Sequence, residues 1–209
     1  MAVAAFLLLA VAQLATAHFG LEYPTWRAAT LGSGHNYSQW AYPCAGVPGN
    51  IEGGNRTDWP LTGGSVVLDL HHDWTYVFIN LGLGANVTNF NYTLTPEFLN
   101  TTGVGSLCLP TVPLPADLKV EDGTQASIQV ITVGDSGAGL YNCADITFRA
   151  SARPLEGDAC KTTEGMTFAA VKEQKPAAST SAAAVAGMSS VVLSSVVGLA
   201  LVFACGMSL

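Results

Sequence analysis

Basic residues are scarce in this sequence. It has 8 Lys and Arg against 15 Asp and Glu among 209 residues, which gives a formal net charge of −7 at pH 7. A surface that binds nucleic acid needs clustered Lys and Arg to neutralise the phosphates. The composition therefore excludes a nucleic-acid partner, whereas it is compatible with a bound cation.

The sequence also lacks an apolar run of about 20 residues, which is the length that a transmembrane helix needs. A shorter run lies at each end of the chain. Residues 1–17 join an apolar run to the ending Ala-Thr-Ala, and this order is typical of a secretory signal peptide. We predict cleavage after Ala17, which makes His18 the first residue of a secreted protein.

The second short run, residues 191–204, has no basic cluster after it. It follows a stretch rich in Ala, Ser and Thr, and this order is typical of a GPI-attachment signal. We predict a linker over 169–186 with attachment at Ser179 or Ser181, and a hydrophobic signal over 187–209 that is removed. The mature lipoprotein is then held at the extracellular face of the plasma membrane or in the cell wall. A single C-terminal anchor helix is the alternative.

The remaining residues, 18–168, are enough for one hydrophobic core. Val, Ile, Tyr, Phe and Thr are concentrated in short segments that Gly-rich turns separate, and no long segment has the helical period. These segments are 65–69, 75–80, 89–94, 126–133 and 140–148. We predict an all-β domain, an antiparallel β-sandwich with long N-terminal loops.

Sequons for N-glycosylation are frequent in this domain, as expected of a secreted surface glycoprotein. None of them has Pro at the middle position. The predicted glycosylation sites are Asn36, Asn55, Asn86, Asn91 and Asn100.

Four of the 5 cysteines lie in the domain, and the fifth, Cys205, lies in the predicted C-terminal signal. An even set in a secreted protein predicts two disulfides, here among Cys44, Cys108, Cys143 and Cys160. The sequence leaves their pairing open. A zinc site is the competing interpretation, but no C-x-x-C or H-x-x-x-H spacing supports it.

Histidine is also rare, with 4 residues in the whole chain. Cleavage before His18 would free its α-amino nitrogen, which can chelate one metal ion together with Nδ1 of the same residue. A second imidazole completes a three-nitrogen set that suits Cu(II), since copper has the highest affinity for such ligands. The sequence therefore predicts a copper-binding histidine brace.

The second imidazole is expected from the neighbouring pair His71 and His72, which precedes a predicted strand. Adjacent strand residues point to opposite faces, so we expect only one of the pair to face His18. A carboxylate is a candidate third ligand. The candidates near turns or strand ends are Asp58, Asp73, Asp135 and Asp145, and for Asp145 a structural role is favoured.

Several motifs carry a resemblance to a known family. They are H-F-G-L-E-Y-P from residue 18, N-R-T-D-W-P-L-T-G-G from 55, L-T-P-E-F from 94, C-L-P from 108 and V-I-T-V-G-D-S-G-A-G-L-Y-N-C-A-D-I-T-F from 130. In this order they resemble the fungal copper acquisition factors, which are GPI-anchored relatives of the lytic polysaccharide monooxygenases.

The resemblance implies an immunoglobulin-like β-sandwich and one Cu(II) held by an N-terminal His, a second His and an Asp. These ligands fall on His18, His72 and Asp135, with His71 and Asp58 in reserve. The resemblance also implies copper acquisition without catalysis, with a membrane copper importer as a plausible receiving partner.

A copper-dependent polysaccharide monooxygenase or oxidase that acts on the cell wall is the alternative, and a structural wall glycoprotein is a third hypothesis. The monooxygenases usually have Tyr or Phe at the axial copper position, where this sequence has Leu140 beside Tyr141. The tryptophans do not decide the question, because Trp in a β-sandwich is more often a core residue than a sugar platform. We expect a core position for Trp26, Trp40, Trp59 and Trp74.

Overall fold

A computed structural model describes residues 18–32, 34, 36–49 and 54–172. The predicted signal peptide, the attachment sites Ser179 and Ser181 and the C-terminal hydrophobic signal all lie outside the described residues. Within the described part of the chain, no helix has the length and apolar character needed to cross a membrane.

The described residues form a β-structure with a single short 3-10 turn at Gly157–Ala159. The strands are β1 (Phe19–Tyr23), β2 (Arg56–Pro60), β3 (Gly63–Leu70), β4 (Trp74–Leu83), β5 (Tyr92–Thr93), β6 (Leu99–Thr102), β7 (Gly105–Pro113), β8 (Gln125–Val133), β9 (Gly139–Arg149) and β10 (Thr167–Ala170). The last two residues of β10 lie within the segment that the sequence assigned to the linker.

Two sheets pack face to face. The smaller has the order β1-β3-β7, and the larger has the order β10-β6-β4-β8-β9-β2, with β5 paired to β4. The predicted all-β sandwich is confirmed, while its immunoglobulin-like type stays a prediction. One feature differs from a purely antiparallel arrangement, because β2 pairs with β9 in parallel.

A tight corner joins β2 to β3, where the chain passes from one sheet into the other. Gly63 has φ +101, and a Cβ on Gly64 would lie 2.7 Å from Pro60 and 2.8 Å from the ring of Trp59. Only glycine fits so close an approach. The tight corner leaves β2 at the open edge of β9, where its direction matches that of β9.

The core lies between the sheets because alternate residues of the long strands point inward. Val77 and Ile79 of β4 and Ile128 of β8 are fully buried. Trp59 is also fully buried, with Nε1 donating to the carbonyl of Ser65 at 3.1 Å. A core position is therefore confirmed for Trp59.

The core expectation is wrong for Trp40, whose side chain is 48% exposed, and for Trp74, which is half-buried on the face of β4 opposite Val77 and Ile79. Trp40 lies in a turn of the loop between β1 and β2, outside both sheets. No strand alternation directs its ring inward there.

The prediction of two disulfides is confirmed, and the structure gives their pairing. Cys44 pairs with Cys143 and attaches the β1–β2 loop to β9, whereas Cys108 pairs with Cys160 and attaches β7 to the segment before β10. The paired residues are 99 and 52 positions apart in sequence. Cross-links that close loops of this length contribute about 4–5 kcal/mol each in the chain-entropy description.

Candidate metal centre

Five strand ends meet at one edge of the sandwich and bring distant parts of the sequence together. β1 begins at Phe19, which pairs with Leu70 at the end of β3. His18 therefore lies beside the short connection from β3 to β4 that contains His71 and His72. The turn between β8 and β9 reaches the same edge. We call His18, His71 and His72 the histidine edge.

The backbone directly after His18 is fixed by two buried amide side chains. The N–H of Phe19 donates to Oε1 of Gln39 at 3.0 Å, and the carbonyl of Phe19 accepts from Nε2 of Gln39 at 2.8 Å. The same carbonyl accepts from Nδ2 of Asn142 at 3.0 Å. Gln39 is fully buried and Asn142 is 1% exposed, so this arrangement holds the first residue of β1 away from water.

Thr30 completes the network around Phe19. Its hydroxyl donates to Oδ1 of Asn142 at 2.8 Å and accepts from Nε2 of Gln39 at 2.7 Å. We call Thr30, Gln39 and Asn142 the Phe19 clamp. Sequence reasoning missed these residues, since they are separated by up to 112 positions and buried polar residues leave no periodic signal. Asn142 does lie within the family-like motif that begins at residue 130.

The ring of His18 is half-buried at the mouth of the site. Burial lowers its pKa below the usual value, and the neighbouring rings of His71 and, to a smaller extent, His72 lower the pKa further. The lowered pKa favours a neutral imidazole with an available lone pair, which is the form that binds metal.

His72 has a ring nitrogen that the protein leaves without a partner. Its Nε2 is buried and has no hydrogen bond among the described residues. The other side of the ring packs close to the β8–β9 turn. A Cβ atom placed on Gly134 of this turn would lie 3.7 Å from Cγ and Nδ1 of His72. An unpaired buried polar atom is costly. A ligand at Nε2 would remove this cost, so the residue fits a metal.

His71 has a different environment from its neighbour. It is exposed, and its Nε2 lies within hydrogen-bond distance, 2.7 Å, of Oδ2 of Asp69; the two side chains are 37% and 36% exposed. His71 and His18 line an open pocket of about 550 Å³, together with Tyr37 and Trp40.

The histidine pair lies beyond the end of β3, in a bend rather than in a strand. Strand alternation does not apply there. Both rings lie close enough to His18 to lower its pKa, and the expectation that only one of them faces His18 stays a prediction.

The predicted carboxylates lie in two different places. Asp135 is exposed in the β8–β9 turn, directly after the glycine that contacts His72. Asp58 pairs with Thr147 in β9, roughly 25 Å along the strand from its start at Gly139. It forms an exposed ion pair with Arg149 at 3.5 Å. The structure therefore brings Asp135, and not Asp58, to the histidine edge.

Asp145 has the structural role that was favoured for it. It is 7% exposed, and both carboxylate oxygens accept from Nε of Arg27, at 3.0 and 3.1 Å. Ser127 donates a further hydrogen bond to it. The carboxylate is thus engaged by Arg27 and Ser127, which is the pairing that a structural role requires.

The described residues contain no group of three His, Cys, Asp or Glu side chains that could hold a metal ion. A histidine brace does not need one, because it uses two imidazoles and a main-chain amine. In the full chain Ala17 precedes His18, so the main-chain nitrogen of His18 is an amide there and becomes an amine only after cleavage.

The position that is axial in the monooxygenases holds no exposed aromatic ring. The side chain of Leu140 is buried in the core, and the ring of Tyr141 packs on Tyr42 with a centroid distance of 5.4 Å.

Comparisons with known proteins identify the family of this chain. A family described as copper acquisition factor BIM1-like matches residues 16–165. An Aspergillus fumigatus protein named lytic polysaccharide monooxygenase-like protein X325 is 36% identical over 69% of this chain and 72% of its own length. A Neurospora crassa protein named lytic polysaccharide monooxygenase-like protein ham-7 is 34% identical over 68% of each chain.

A lytic polysaccharide monooxygenase-like protein of Emericella nidulans is 42% identical over a shorter region, which covers 53% of this chain and 48% of the relative. The family match spans most of the chain and includes both ends of the histidine edge. The chain therefore belongs to the copper acquisition factor BIM1-like family, and its function is related to copper.

Proposed function

We propose that the mature protein captures one Cu(II) ion outside the cell and supplies it for uptake, held at the fungal cell surface by a GPI anchor. The observation that carries this proposal is the buried Nε2 of His72, which has no hydrogen-bond partner in the described part of the chain and belongs to a ring close to the half-buried His18. Two neutral imidazoles and one amine suit Cu(II) better than the other common divalent cations.

Each ligand has a distinct part in the proposal. His18 supplies its α-amino nitrogen and a ring nitrogen once the signal peptide is removed, and His72 supplies a second ring. Asp135 supplies a carboxylate from the β8–β9 turn. Its negative charge favours Cu(II) over Cu(I), which lowers the oxidising power of the bound ion. The copper is thus cargo rather than a resident catalyst.

The family description supports copper acquisition without catalysis, and so does the burial of Leu140 in the core. The alternative is a copper-dependent polysaccharide monooxygenase or oxidase. The exposed Trp40 and the half-buried Tyr37 favour it, because they line the same pocket as His18 and sugars stack on aromatic rings. The names of the relatives also mention monooxygenases.

The amine of His18 gives the first prediction. Protein that begins at His18, as verified by N-terminal sequencing, should bind one Cu(II) in calorimetry with an electron paramagnetic resonance signal of nitrogen ligands. A matched protein that keeps Ala17 should bind more than about 100-fold more weakly, since it loses a direct ligand. Equal affinity of the two proteins would contradict the brace.

The enzyme alternative is tested on the same protein. Copper-loaded protein is incubated with chitin, cellulose or wall glucan and a reductant, and oxidised oligosaccharides are sought by mass spectrometry. Their release would favour the monooxygenase. Growth of a deletion strain under copper limitation is the complementary test. Normal growth with a weakened wall would favour a structural role.

A further inference from the structure

The outer face of the larger sheet carries a row of aromatic rings that starts at the first residue of β4. Trp74, Tyr76 and Phe78 alternate along β4, and Phe98 lies just before β6. Ring centroids are 4.5 Å apart for Trp74 and Tyr76, 5.0 Å for Tyr76 and Phe98, and 4.9 Å for Phe78 and Phe98. We call these four residues the aromatic row.

The aromatic row is only half-buried, whereas Val77 and Ile79 on the opposite face of β4 are fully buried. Large apolar groups on a protein surface usually mark a place where something else binds. The question is therefore which group covers these rings.

Asn100 lies on the same face as the aromatic row. It pairs directly with Tyr76 in the antiparallel register of β4 and β6, and side chains at paired positions share a face. Phe98 and Thr102 lie two residues before and after it, so they also share that face. Asn100 and Thr102 are the first and third residues of a sequon.

The amide of Asn100 is oriented with its oxygen inward. Oδ1 is buried without a hydrogen-bond partner, while Nδ2 is not among the buried unpartnered atoms of the described residues. From the inward oxygen we infer that Nδ2, the nitrogen that takes a sugar, faces out.

Asn100 differs from the other sequon residues, which all lie in loops or bends. Those four, Asn36, Asn55, Asn86 and Asn91, are exposed. Asn100, by contrast, lies in a strand, β6, and the aromatic Phe98 lies two positions before it. A glycan on Asn100 would begin directly over aromatic rings.

We propose that Asn100 carries an N-linked glycan whose first N-acetylglucosamine packs on Phe98 and Tyr76 and covers the aromatic row. Attachment joins Nδ2 of Asn100 to C1 of the sugar, breaks the bond from C1 to a lipid-linked diphosphate donor and releases the amide proton with that diphosphate. The C–H face of the sugar ring then lies against the electron-rich faces of the aromatic rings. The glycan is part of the folded surface and stabilises it.

The test compares glycosylated proteins in which an endoglycosidase has trimmed each glycan to a single N-acetylglucosamine. Asn100→Gln should lower Tm by about 2–4 °C, the shift that a loss of about 1 kcal/mol produces in a protein of this size. Asn91→Gln is the matched control, since its sequon is exposed in a loop, and it should leave Tm unchanged. Peptide mass spectrometry establishes the occupancy of both sites.

Double variants at Asn100 and Phe98 distinguish packing of the sugar on the Phe98 ring from a general effect of glycosylation on stability. In a Phe98→Leu background, Asn100→Gln should have at most half of its original effect, whereas in a Phe98→Tyr background the full effect should return. In the unmutated protein, the N-acetyl methyl resonance on Asn100 should be shifted upfield by the rings. This second measurement does not depend on the folding of any variant.

Three results would overturn the proposal. The first is that Asn100 is unmodified in protein secreted by a fungal host. The second is that Asn100→Gln lowers Tm equally with and without the aromatic ring at residue 98. The third is binding of soluble β-glucan fragments to the aromatic row while the Asn100 glycan is present, which would identify a polysaccharide as its occupant.

Discussion

Two polar clusters of this protein differ in how completely their atoms are paired. Arg27 and Asp145 are both buried, and the guanidinium also donates to the hydroxyl of Ser127 at 3.0 Å and to main-chain carbonyls. At the histidine edge, by contrast, the buried Nε2 of His72 has no partner among the described residues. Complete pairing is typical of a structural role, whereas an unpaired buried nitrogen calls for an explanation, and a ligand would supply one.

The largest effect on stability is expected from a substitution that breaks the buried pair of Arg27 and Asp145. Arg27→Met leaves the Asp145 carboxylate buried without its partner, which should lower the free energy of unfolding by about 3–5 kcal/mol. Arg149→Met is the control, since Arg149 is 41% exposed in its pairs with Asp58 and Asp122. It should cost less than about 1 kcal/mol. Urea denaturation measures both, and similar losses would contradict the structural role of Arg27.

The second prediction separates the two neighbouring histidines. His72→Ala should weaken Cu(II) binding by more than about 100-fold, since even residues that only support a metal ligand are worth 10–100-fold. It should barely change the stability of the metal-free protein, because the lost Nε2 makes no hydrogen bond. His71→Ala, which removes an exposed ring paired with Asp69, should change copper affinity by less than about tenfold. A reversed order in competition titrations would assign the ligand to His71.

The smallest expected effect concerns the Phe19 clamp. Gln39→Leu leaves main-chain groups of Phe19 unpaired, which should cost about 1–3 kcal/mol of stability. It should also weaken copper binding by about tenfold or more, because the backbone next to His18 is no longer fixed. Gln129→Leu is the matched control.

Gln129 is 2% exposed and donates to the carbonyl of Pro43 at 2.9 Å, away from Phe19. Its replacement should cost similar stability and leave copper affinity unchanged. If both variants lose copper affinity equally, the clamp has no specific positioning role.

The sequence was sufficient to predict the strands and the number of disulfides, which depend on local patterns of residues. Alternation of apolar residues in segments such as 126–133 predicted strands, because one face of each strand must be buried. The even set of cysteines predicted two disulfides but not their pairing, which depends on which strands become neighbours. The parallel pairing of β2 with β9 was missed for the same reason.

The candidate site was predictable only in part. His18 follows from the predicted cleavage site alone, whereas Gln39 and Asn142 reach Phe19 from positions 20 and 123 residues away. Such contacts exist only after the sheets have formed. The separate environments of His71 and His72 were also hidden, since the bend that contains them has no strand period.

The position of the Cys44–Cys143 disulfide has a consequence for the order in which the site is built. Cys143 directly follows Asn142 of the Phe19 clamp, and Cys44 belongs to the same loop as Gln39. Both halves of the clamp are thus held together by a bond that persists only in oxidising surroundings. Oxidation and N-terminal cleavage would both precede metal capture, so newly made chains should take no copper from the reducing cytosol.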